Sequence, residues 1–192
     1  MDATTVTTPD GTFSILVGTA PSALPGADGV LGGADGTARE AVLAAGWTAD
    51  LGALLALVHP TIRAVGGEVR TGRPTAGSVL AEAGDAVRAY YDGDLGAPGR
   101  VPVRQASGPF RMHAWDVLRE VKAGERVTYS EYAARSGRPA AVRAAAGACA
   151  MNAAALFVPC HRILRTDGAL GGFRYGLPIK ESLLARETPL PK

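Results

Sequence analysis

The 192-residue chain is poor in cysteine, and this scarcity excludes several classes of protein. Its two cysteines, Cys149 and Cys160, are too few for the disulfide framework of a small secreted domain. No Cys-x-x-Cys pair occurs and the three histidines are scattered, so no zinc site is expected. The N-terminus lacks a basic region followed by an apolar run, and no apolar run approaches the roughly 18 residues of a membrane span. We therefore expect a cytoplasmic protein that does not contact membranes.

Charge is unevenly distributed along the chain. Residues 1–100 contain six arginines against eleven acidic residues, a net charge of −5. Residues 101–192 contain fourteen basic against seven acidic residues, a net charge of +7, and the two parts sum to +2. The basic part favours an anionic partner such as nucleic acid, and a chance imbalance on a solvated surface is the alternative.

The N-terminal half contains few motifs. Residues 12–20, TFSILVGTA, are apolar and β-branched enough for a strand. Residues 21–37 are rich in Gly, Pro and Asp and are interpreted as turns, with room for a short strand at Val30–Leu31. Residues 37–58 have helical spacing, interrupted near Gly46.

A helix end, a second helix and a linker follow. His59 precedes a proline and is interpreted as the end of a helix. Residues 76–95 form an amphipathic pattern whose apolar side comprises Val79, Leu80, Ala83, Val87 and Tyr90. The stretch GAPGRVPVRQASGP is a Pro/Gly-rich link, so we predict a supporting domain over residues 1–104 and a second domain over residues 105–192.

The second half has the pattern of a helix-turn-helix. FRMHAWDVLREV predicts one helix, and a second is expected to begin near Ser130, with serine as its cap, and to end at Gly137. A third helix is predicted through AAVRAAAGACAMN after a tight turn at Arg138–Pro139. Between Ala140 and Ala150 it holds seven alanines, and Arg143 is its only charged residue. Such a helix either packs tightly against another helix or enters a narrow groove of nucleic acid, and the basic charge favours the second reading.

The stretch LFVPCHRIL places Cys160 beside His161 among apolar residues. A free thiol has a pKa of about 8.5, so little of it is thiolate at neutral pH. A cysteine nucleophile therefore needs a base or a nearby charge. Adjacency in sequence alone does not establish such a pair, and a buried structural thiol is the alternative. Cys149, on the alanine-rich helix, is interpreted as a small packing residue.

From Phe110 to Glu187 the chain resembles the O6-alkylguanine-DNA alkyltransferases, also called methylated-DNA–protein-cysteine methyltransferases. The resemblance rests on PCHRIL, on GERVTYSEYA and AAVRAAAGACAMN before it, and on DGALGGFRYGLPIKESLLARE after it. ACAMN and GGFRYG look like the C-terminal domain of bacterial Ada. The zinc-binding cysteine cluster of the Ada regulatory domain is absent, so no transcription-activator role is predicted.

The resemblance implies a fold and an activity. The fold would be α+β, with a small N-terminal sheet-plus-helix domain followed by a mainly α domain that holds the helix-turn-helix and the active-site cysteine. The activity would be that of a methylated-DNA–[protein]-cysteine S-methyltransferase, which moves the alkyl group of O6-alkylguanine, and of O4-alkylthymine, irreversibly onto its own cysteine. No cofactor and no metal are expected. The expected partner is double-stranded DNA containing alkylated bases, bound in the minor groove independently of sequence by a monomer.

The resemblance also assigns roles to catalytic residues. Cys160 matches the alkyl acceptor, and His161 matches the residue that takes the thiol proton through a bound water. Glu187 matches the carboxylate that orients this histidine. Asn152 matches the asparagine that braces the turn before the active-site segment. Tyr129 matches the tyrosine that rotates the target nucleotide and hydrogen-bonds the departing guanine.

Other positions match residues that bind DNA or substrate. Arg143 matches the arginine finger that enters the base stack, and the small residues Ala144 and Gly147 on its helix are expected at the DNA surface. The backbone carbonyls of Val158 and Cys160 are expected to contact the guanine edge. Phe173 and Arg174 replace an aromatic-serine pair, so Phe173 would wall the alkyl pocket without a hydroxyl group and Arg174 would alter the accepted alkyl size.

Two other functions remain open from the sequence. A protein that binds alkylated bases without transferring the group is the first, although such relatives lack the cysteine that stands here as Cys160. A Cys-His hydrolase of another fold is the second, and no independent signature of acyl chemistry supports it.

Overall fold

A computed structural model describes residues 1–20 and 39–188, and its architecture is α+β, as the family resemblance implies. A four-stranded sheet has the order β3-β2-β1-β4. Its strands are β1 (Asp2–Thr8), β2 (Gly11–Ala20), β3 (Arg39–Gly46) and β4 (Arg70–Thr71). Neighbouring strands β1, β2 and β3 are antiparallel, and β4 is parallel to β1. The strand predicted over 12–20 is therefore confirmed, whereas the one suggested at Val30–Leu31 lies outside the described residues.

The helix predicted over residues 37–58 is wrong for its first part, which is strand β3. Ala41 to Gly46 are all buried, and Val42 pairs with Val17 of β2. On its other edge, the Val42 amide donates to the Pro102 carbonyl at 2.9 Å. Alanine favours helices in isolation, but a strand with neighbours on both edges and both faces gains more from pairing and burial.

Three helices accompany this sheet. Helix α1 (Leu51–Ala56) is capped by Asp50, whose carboxylate accepts from the Ala53 amide at 2.9 Å. The sequence predicts a helix end at His59, but His59 is instead the N-cap of α2 (Pro60–Gly66), because proline suits the first helical position. Helix α3 (Val79–Tyr91) matches the predicted amphipathic helix and packs on β1 and β2.

The remaining elements surround the site. They are helices α4 (Ala97–Arg100), α5 (Pro109–Glu120), α6 (Tyr129–Arg135), α7 (Val142–Ala150) and α8 (Leu177–Arg186), a 3-10 turn (Cys160–Arg162), and strands β5 (Val127–Thr128) and β6 (Ile163–Leu164), which pair in parallel.

Helix α6 begins with a different cap from the predicted one. Thr128, not Ser130, is the N-cap, and its hydroxyl accepts from the Glu131 amide at 3.2 Å. The Glu131 carboxylate in turn accepts a hydrogen bond from the Thr128 amide at 2.7 Å. This capping box saturates two backbone donors at once, which a cap at Ser130 would not do.

A large apolar cluster joins the sheet to the C-terminal helices. Phe13 and Trp47 meet edge to face with ring centroids 4.8 Å apart, and the same cluster includes Trp115, Phe157 and Leu183. The division into two domains near residue 105 stays a prediction, and the core that supports the site draws on residues from both sides of it. Within the described ranges, no helix has the length and apolar character needed to cross a membrane.

Candidate active site

Cys160 opens the 3-10 turn Cys160–Arg162, and a strained turn precedes it. Leu156 has a φ of 70°, a left-handed conformation that costs a residue with a side chain about 1–2 kcal/mol. Burial of the Leu156 side chain offsets this cost, because its apolar surface leaves water. The Val158 amide closes the turn by donating to the Ala154 carbonyl at 2.9 Å. The approach to the thiol is therefore a fixed segment of backbone.

Asn152 connects the two ends of this turn. Its buried side-chain amide donates through Nδ2 to the Val158 carbonyl at 2.8 Å and to the Cys160 Sγ at 3.2 Å. Its Oδ1 accepts from the Ala154 amide at 3.1 Å. The side chain thus links the end of α7 to the thiol through direct hydrogen bonds.

The thiol of Cys160 has a protonated resting state. Burial raises its pKa above the ordinary value, and the Asn152 hydrogen bond and the Lys180 charge oppose that rise. A low-dielectric environment disfavours the thiolate until a base or a positive charge compensates. The site therefore needs a proton acceptor at the moment of reaction.

His161 and Glu187 form a buried pair behind the cysteine. The Nε2 of His161 lies 3.0 Å from the Glu187 Oε1, and both side chains are about 1% exposed. Since a carboxylate only accepts, Nε2 carries the proton and Nδ1 keeps its lone pair. No described residue bonds to that buried Nδ1. Burial lowers the pKa of His161 despite the carboxylate, so the imidazole is neutral and can accept a proton at Nδ1.

Glu187 is held ionised by two further side chains. Arg162 donates to it twice, from Nε to Oε2 at 2.9 Å and from Nη2 to Oε1 at 2.7 Å. The Tyr90 hydroxyl, from helix α3, donates to Oε1 at 3.0 Å. Burial alone would raise the pKa of Glu187, but the bonds from His161 and Arg162 lower it to about 2. The carboxylate is therefore ionised at neutral pH.

Lys180 of helix α8 is a second buried cation near the thiols. Its Nζ donates to the Ile163 carbonyl at 2.7 Å and also to the Leu170 carbonyl. Burial lowers the pKa of Lys180, and the charge in turn lowers the pKa values of Cys149 and Cys160. Lys180 thus ties the segment after the cysteine together and places positive potential beside both thiols.

Tyr129 is placed beside the cysteine by strand pairing. Tyr129 follows strand β5. Thr128 of β5 pairs with Leu164 of β6, and β6 comes immediately after the 3-10 turn that holds Cys160. Gly171 approaches the ring so closely that a Cβ there would lie 3.2 Å from the Tyr129 hydroxyl. Burial raises the pKa of Tyr129 to about 12, so the phenol stays protonated and can donate.

A cavity of about 340 Å³ opens above Cys160. Phe173 and Tyr175 form its aromatic wall, with ring centroids 5.8 Å apart, and Trp47 of the N-terminal half packs behind them. Arg174 lies at the rim and donates to the Ala150 carbonyl at 2.5 Å. This bond attaches the rim of the cavity to the C-terminal end of α7.

Strand β3 fixes the position of the aromatic wall. The Tyr175 hydroxyl donates to the Ala45 carbonyl at 3.3 Å. A Cβ on Gly46 would lie only 1.9 Å from that hydroxyl, so the close approach requires glycine. The Ala45 amide also donates to the Ala153 carbonyl at 2.9 Å, which attaches the strand to the residue after Asn152.

One face of α7 is open to solvent beside the cavity. Arg143 and Ala144 are exposed, and space is open around Gly147. Arg143 makes no hydrogen bond or ion pair within the described part of the chain. Ala145 and Ala148 on the opposite face are buried, and the Trp115 indole donates to the Ala148 carbonyl at 2.8 Å. The alanine-rich composition therefore serves both packing on α5 and a smooth exposed surface.

The contact of the Val158 backbone carbonyl with guanine stays a prediction. Its oxygen accepts from the Asn152 Nδ2 and the Cys160 amide, each at 2.8 Å. Both of its lone pairs therefore have partners within the chain. The Cys160 carbonyl accepts one bond, from the Ile163 amide, and keeps a free lone pair.

The structure brings together Cys160, His161, Glu187, Asn152, Tyr129, Phe173 and Arg174, whereas Arg143, Ala144 and Gly147 lie on the adjoining helix face. Sequence reasoning missed Tyr90, Arg162, Lys180 and Tyr175, and also Gln105. Arg162 stands inside the PCHRIL motif and could have been suspected there. Tyr175 and Lys180 stand in DGALGGFRYGLPIKESLLARE and could also have been suspected there. Tyr90 and Gln105 contact Glu187 and Asn152 across 97 and 47 residues, which no local pattern reveals. Among the described residues, no cluster of His, Cys, Asp or Glu could hold a metal ion.

Known proteins resemble this chain most in its C-terminal half. Residues 109–189 match the family model of the 6-O-methylguanine DNA methyltransferase, DNA binding domain. Over 91 residues, the chain is 43% identical to the bifunctional transcriptional activator/DNA repair enzyme Ada of Escherichia coli. The aligned region covers 47% of this chain and 26% of that protein. The chain is 40% identical over 98 residues to the methylated-DNA–protein-cysteine methyltransferase of Haemophilus influenzae, covering 51% of this chain and 55% of that protein. The chain thus matches only a quarter to about half of the length of these relatives.

The fold of the whole chain also has a solved counterpart. It superposes on a crystal structure of Mycobacterium tuberculosis OGT in complex with DNA with a TM-score of 0.67 and 21% identity. The match covers 97% of this chain and 93% of that one, so it includes the N-terminal sheet, where the sequence matches only loosely. Residues 109–189 of this chain thus match the DNA-binding domain of the 6-O-methylguanine DNA methyltransferases, and the chain as a whole shares the fold of Mycobacterium tuberculosis OGT.

Proposed function

We propose that the protein repairs DNA by direct reversal, as a single-turnover methylated-DNA–[protein]-cysteine S-methyltransferase. Its substrate would be O6-alkylguanine in double-stranded DNA, with O4-alkylthymine as a second substrate. The observation that carries the proposal is the thiol of Cys160 in a cavity, with a neutral imidazole and an ionised carboxylate behind it. A protein that only binds alkylated bases would need none of these groups.

The first step is removal of the thiol proton. The lone pair at Nδ1 of His161 accepts the proton of Cys160 through a bound water, while Glu187 stabilises the imidazolium that forms. The Asn152 Nδ2 donates to the sulfur and Lys180 supplies positive charge, so both favour the thiolate. General-base assistance of this kind contributes about 10²–10⁴-fold to rate.

The second step moves the alkyl group. The thiolate attacks the alkyl carbon, the new S–C bond forms, and the bond from that carbon to guanine O6 breaks. The electron pair of the broken bond stays on the guanine, and the protonated phenol of Tyr129 donates a hydrogen bond to it. The free lone pair of the Cys160 carbonyl is suited to an N–H of the guanine. A thioether is not a leaving group under these conditions, so each molecule acts once.

The DNA would lie against the exposed face of α7. Ala144 and Gly147 present little side-chain bulk there, which allows a helix to approach the narrow minor groove. Arg143, without a partner in the described chain, would fill the gap left by the rotated nucleotide and offset part of the cost of flipping, a few kcal/mol. Contacts of this type read no base sequence, which suits repair at any site by a monomer.

The alkyl group would occupy the space between Phe173, Tyr175 and the sulfur. Arg174 bonds to the end of α7 and narrows the rim, so it would influence which larger alkyl groups enter. Phe173 contributes surface without a hydroxyl group.

The proposal is tested with duplex DNA that carries one O6-methylguanine. The wild-type protein is expected to remove the methyl group in proportion to the protein added, and Cys160→Ser to remove none. Cys149→Ser is the matched control, because it alters the other thiol in the same cavity, and it should retain transfer. Transfer by Cys160→Ser, or its loss only in Cys149→Ser, would refute the assignment.

A further inference from the structure

We propose that Gln105, in the segment between α4 and α5, is a positioning residue that orients the amide of Asn152 and thereby favours the thiolate of Cys160. The inference rests on the proposed role of Cys160 as a nucleophile. Neither the family resemblance nor the sequence pattern assigns any role to this glutamine.

Gln105 bridges two points next to the thiol. Its Nε2 donates to the Asn152 Oδ1 at 3.0 Å. Its Oε1 accepts from the Ala153 amide at 2.7 Å. Asn152 then donates to the Cys160 Sγ at 3.2 Å, so one chain of hydrogen bonds runs from the linker to the sulfur.

Backbone groups dictate the direction of this chain. The Ala153 amide can only donate, so the oxygen of Gln105 must face it and the NH₂ of Gln105 must face Asn152. The Ala154 amide likewise requires the Asn152 oxygen on that side. Because two donors bind Oδ1, the Asn152 NH₂ must point at Val158 and Cys160.

The burial of Asn152 makes the hydrogen bond from Gln105 to its Oδ1 important. Asn152 is only 3% exposed, so water does not readily replace Gln105 at Oδ1. Gln105 itself is half-buried and lines a second cavity of about 350 Å³, on the side of the linker and helices α1 and α2. Without Gln105, one acceptor site of a buried amide oxygen loses its partner and the amide is held by Ala154 alone.

The consequence for chemistry is electrostatic. The Asn152 N–H is the neutral group that opposes the effect of burial on the sulfur most strongly. An N–H held in line with the sulfur stabilises the thiolate more than the thiol. A less constrained amide would lose part of that preference.

The test uses two variants of Gln105 and a control in the same segment. Gln105→Glu keeps the size and the bond from Ala153 but cannot donate to Asn152, and Gln105→Met removes both bonds. Ser107→Ala is the control, because it loses a hydrogen bond of similar type, from the Arg111 Nη1 at 2.7 Å, with no contact to Asn152.

The measurement is the pH profile of Cys160 alkylation by iodoacetamide, located by peptide mapping. The other titratable and charged groups that interact with the sulfur are the same in every protein compared, namely Cys149, Lys180, Arg174, Tyr129, Tyr132 and Tyr175. We expect the apparent pKa of Cys160 to rise in both variants, and more in Gln105→Glu, which adds a negative charge. The rate at neutral pH should fall about fivefold, the value of one hydrogen bond, and recover at high pH.

A merely structural role would lower the rate equally at all pH values or leave the profile unchanged, and either result would overturn the inference. Ser107→Ala shifting the profile as far as Gln105→Glu would overturn it as well. Because iodoacetamide requires no DNA, this profile is independent of repair. Wild-type protein that fails to demethylate DNA while the profile shifts as expected would refute the proposed function and leave the role of Gln105 standing.

Discussion

The Nε2 of His161 donates to the Oε1 of Glu187 at 3.0 Å, and this one bond decides where the imidazole can accept a proton. The carboxylate accepts only, so Nδ1 carries the free lone pair. The same carboxylate neutralises buried Arg162, so Glu187 has a structural role beside the proposed catalytic one.

Replacing Glu187 with glutamine should impair both roles. An amide can donate to Nε2 and stabilise the wrong tautomer, so methyl transfer should slow by about 10²–10⁴-fold, the usual contribution of a general base. Arg162 would lose its anion, and breaking a buried ion pair costs about 3–5 kcal/mol of unfolding free energy. Single-turnover transfer and denaturant unfolding measure the two effects.

Glu181→Gln is the matched control for that substitution. Glu181 lies on the same helix, α8, and is exposed, so its rate and stability should stay near those of the wild type. If Glu187→Gln were as fast as Glu181→Gln, the carboxylate would have no part in activating the cysteine.

Stability at acid pH should reflect the same carboxylate. The pKa of Glu187 is lowered from an ordinary 4.5 to about 2 in the folded protein. A lowered pKa contributes stability that is fully present above the unfolded value and is lost as the pH falls through the folded one. The unfolding free energy of the wild type should therefore fall between about pH 4.5 and 2 more steeply than that of Glu187→Gln. Parallel curves in a urea titration at each pH would contradict this assignment.

Arg143→Ala should separate base flipping from chemistry. Without the side chain, repair of O6-methylguanine in duplex DNA should slow by at least about tenfold, because part of the flipping cost is no longer offset. Reaction with a free O6-alkylguanine base needs no flipping and should change little. Arg88→Ala, which removes an exposed arginine from α3, controls for net charge. Equal losses on duplex and free base would remove Arg143 from a finger role.

The contact between the sheet and the cavity wall predicts a strong effect at Gly46. Alanine there would place a Cβ 1.9 Å from the Tyr175 hydroxyl, and overpacking of this kind costs about 1–3 kcal/mol. The displaced wall should also slow methyl transfer. Combining it with Tyr175→Ala should give a loss smaller than the sum of the two single losses, since the clash is removed.

Gly99→Ala is the control for that prediction. It is also a glycine-to-alanine change, but a Cβ at Gly99 meets nothing within 4 Å. Its unfolding free energy should stay within about 0.5 kcal/mol of the wild type. Additive losses in the double variant would show that Gly46 does not act through Tyr175.

The sequence predicted those strands and helices whose residue pattern agrees with their packing in the folded protein. Strand β2 has β-branched residues, and helices α3, α5 and α7 have one apolar face, so their periods were visible. Strand β3 was missed because its alanines favour a helix, and only pairing with β2 and with the Pro102 and Ala153 carbonyls makes it a strand. His59 and Thr128 were missed as caps because these caps depend on side-chain hydrogen bonds to the first helical turn, which the residue pattern does not show.

The residues of the site also divide into those that the sequence could predict and those that it could not. Cys160, His161 and Glu187 could be assigned because a family resemblance covers residues 110–187 without a gap. Tyr90 meets Glu187 across 97 residues and Gln105 meets Asn152 across 47, and no periodicity encodes such contacts. The contact of the Val158 carbonyl with guanine stays a prediction, and the two hydrogen bonds that this carbonyl accepts are visible only once the turn is folded.

The most direct test of the central claim is peptide mapping by mass spectrometry after incubation with excess duplex DNA carrying O6-methylguanine. The account predicts one methyl group per protein molecule, located on Cys160, and no further demethylation once every molecule carries it. Repeated turnover with unmodified Cys160, or a methyl group on Cys149 instead, would contradict the account.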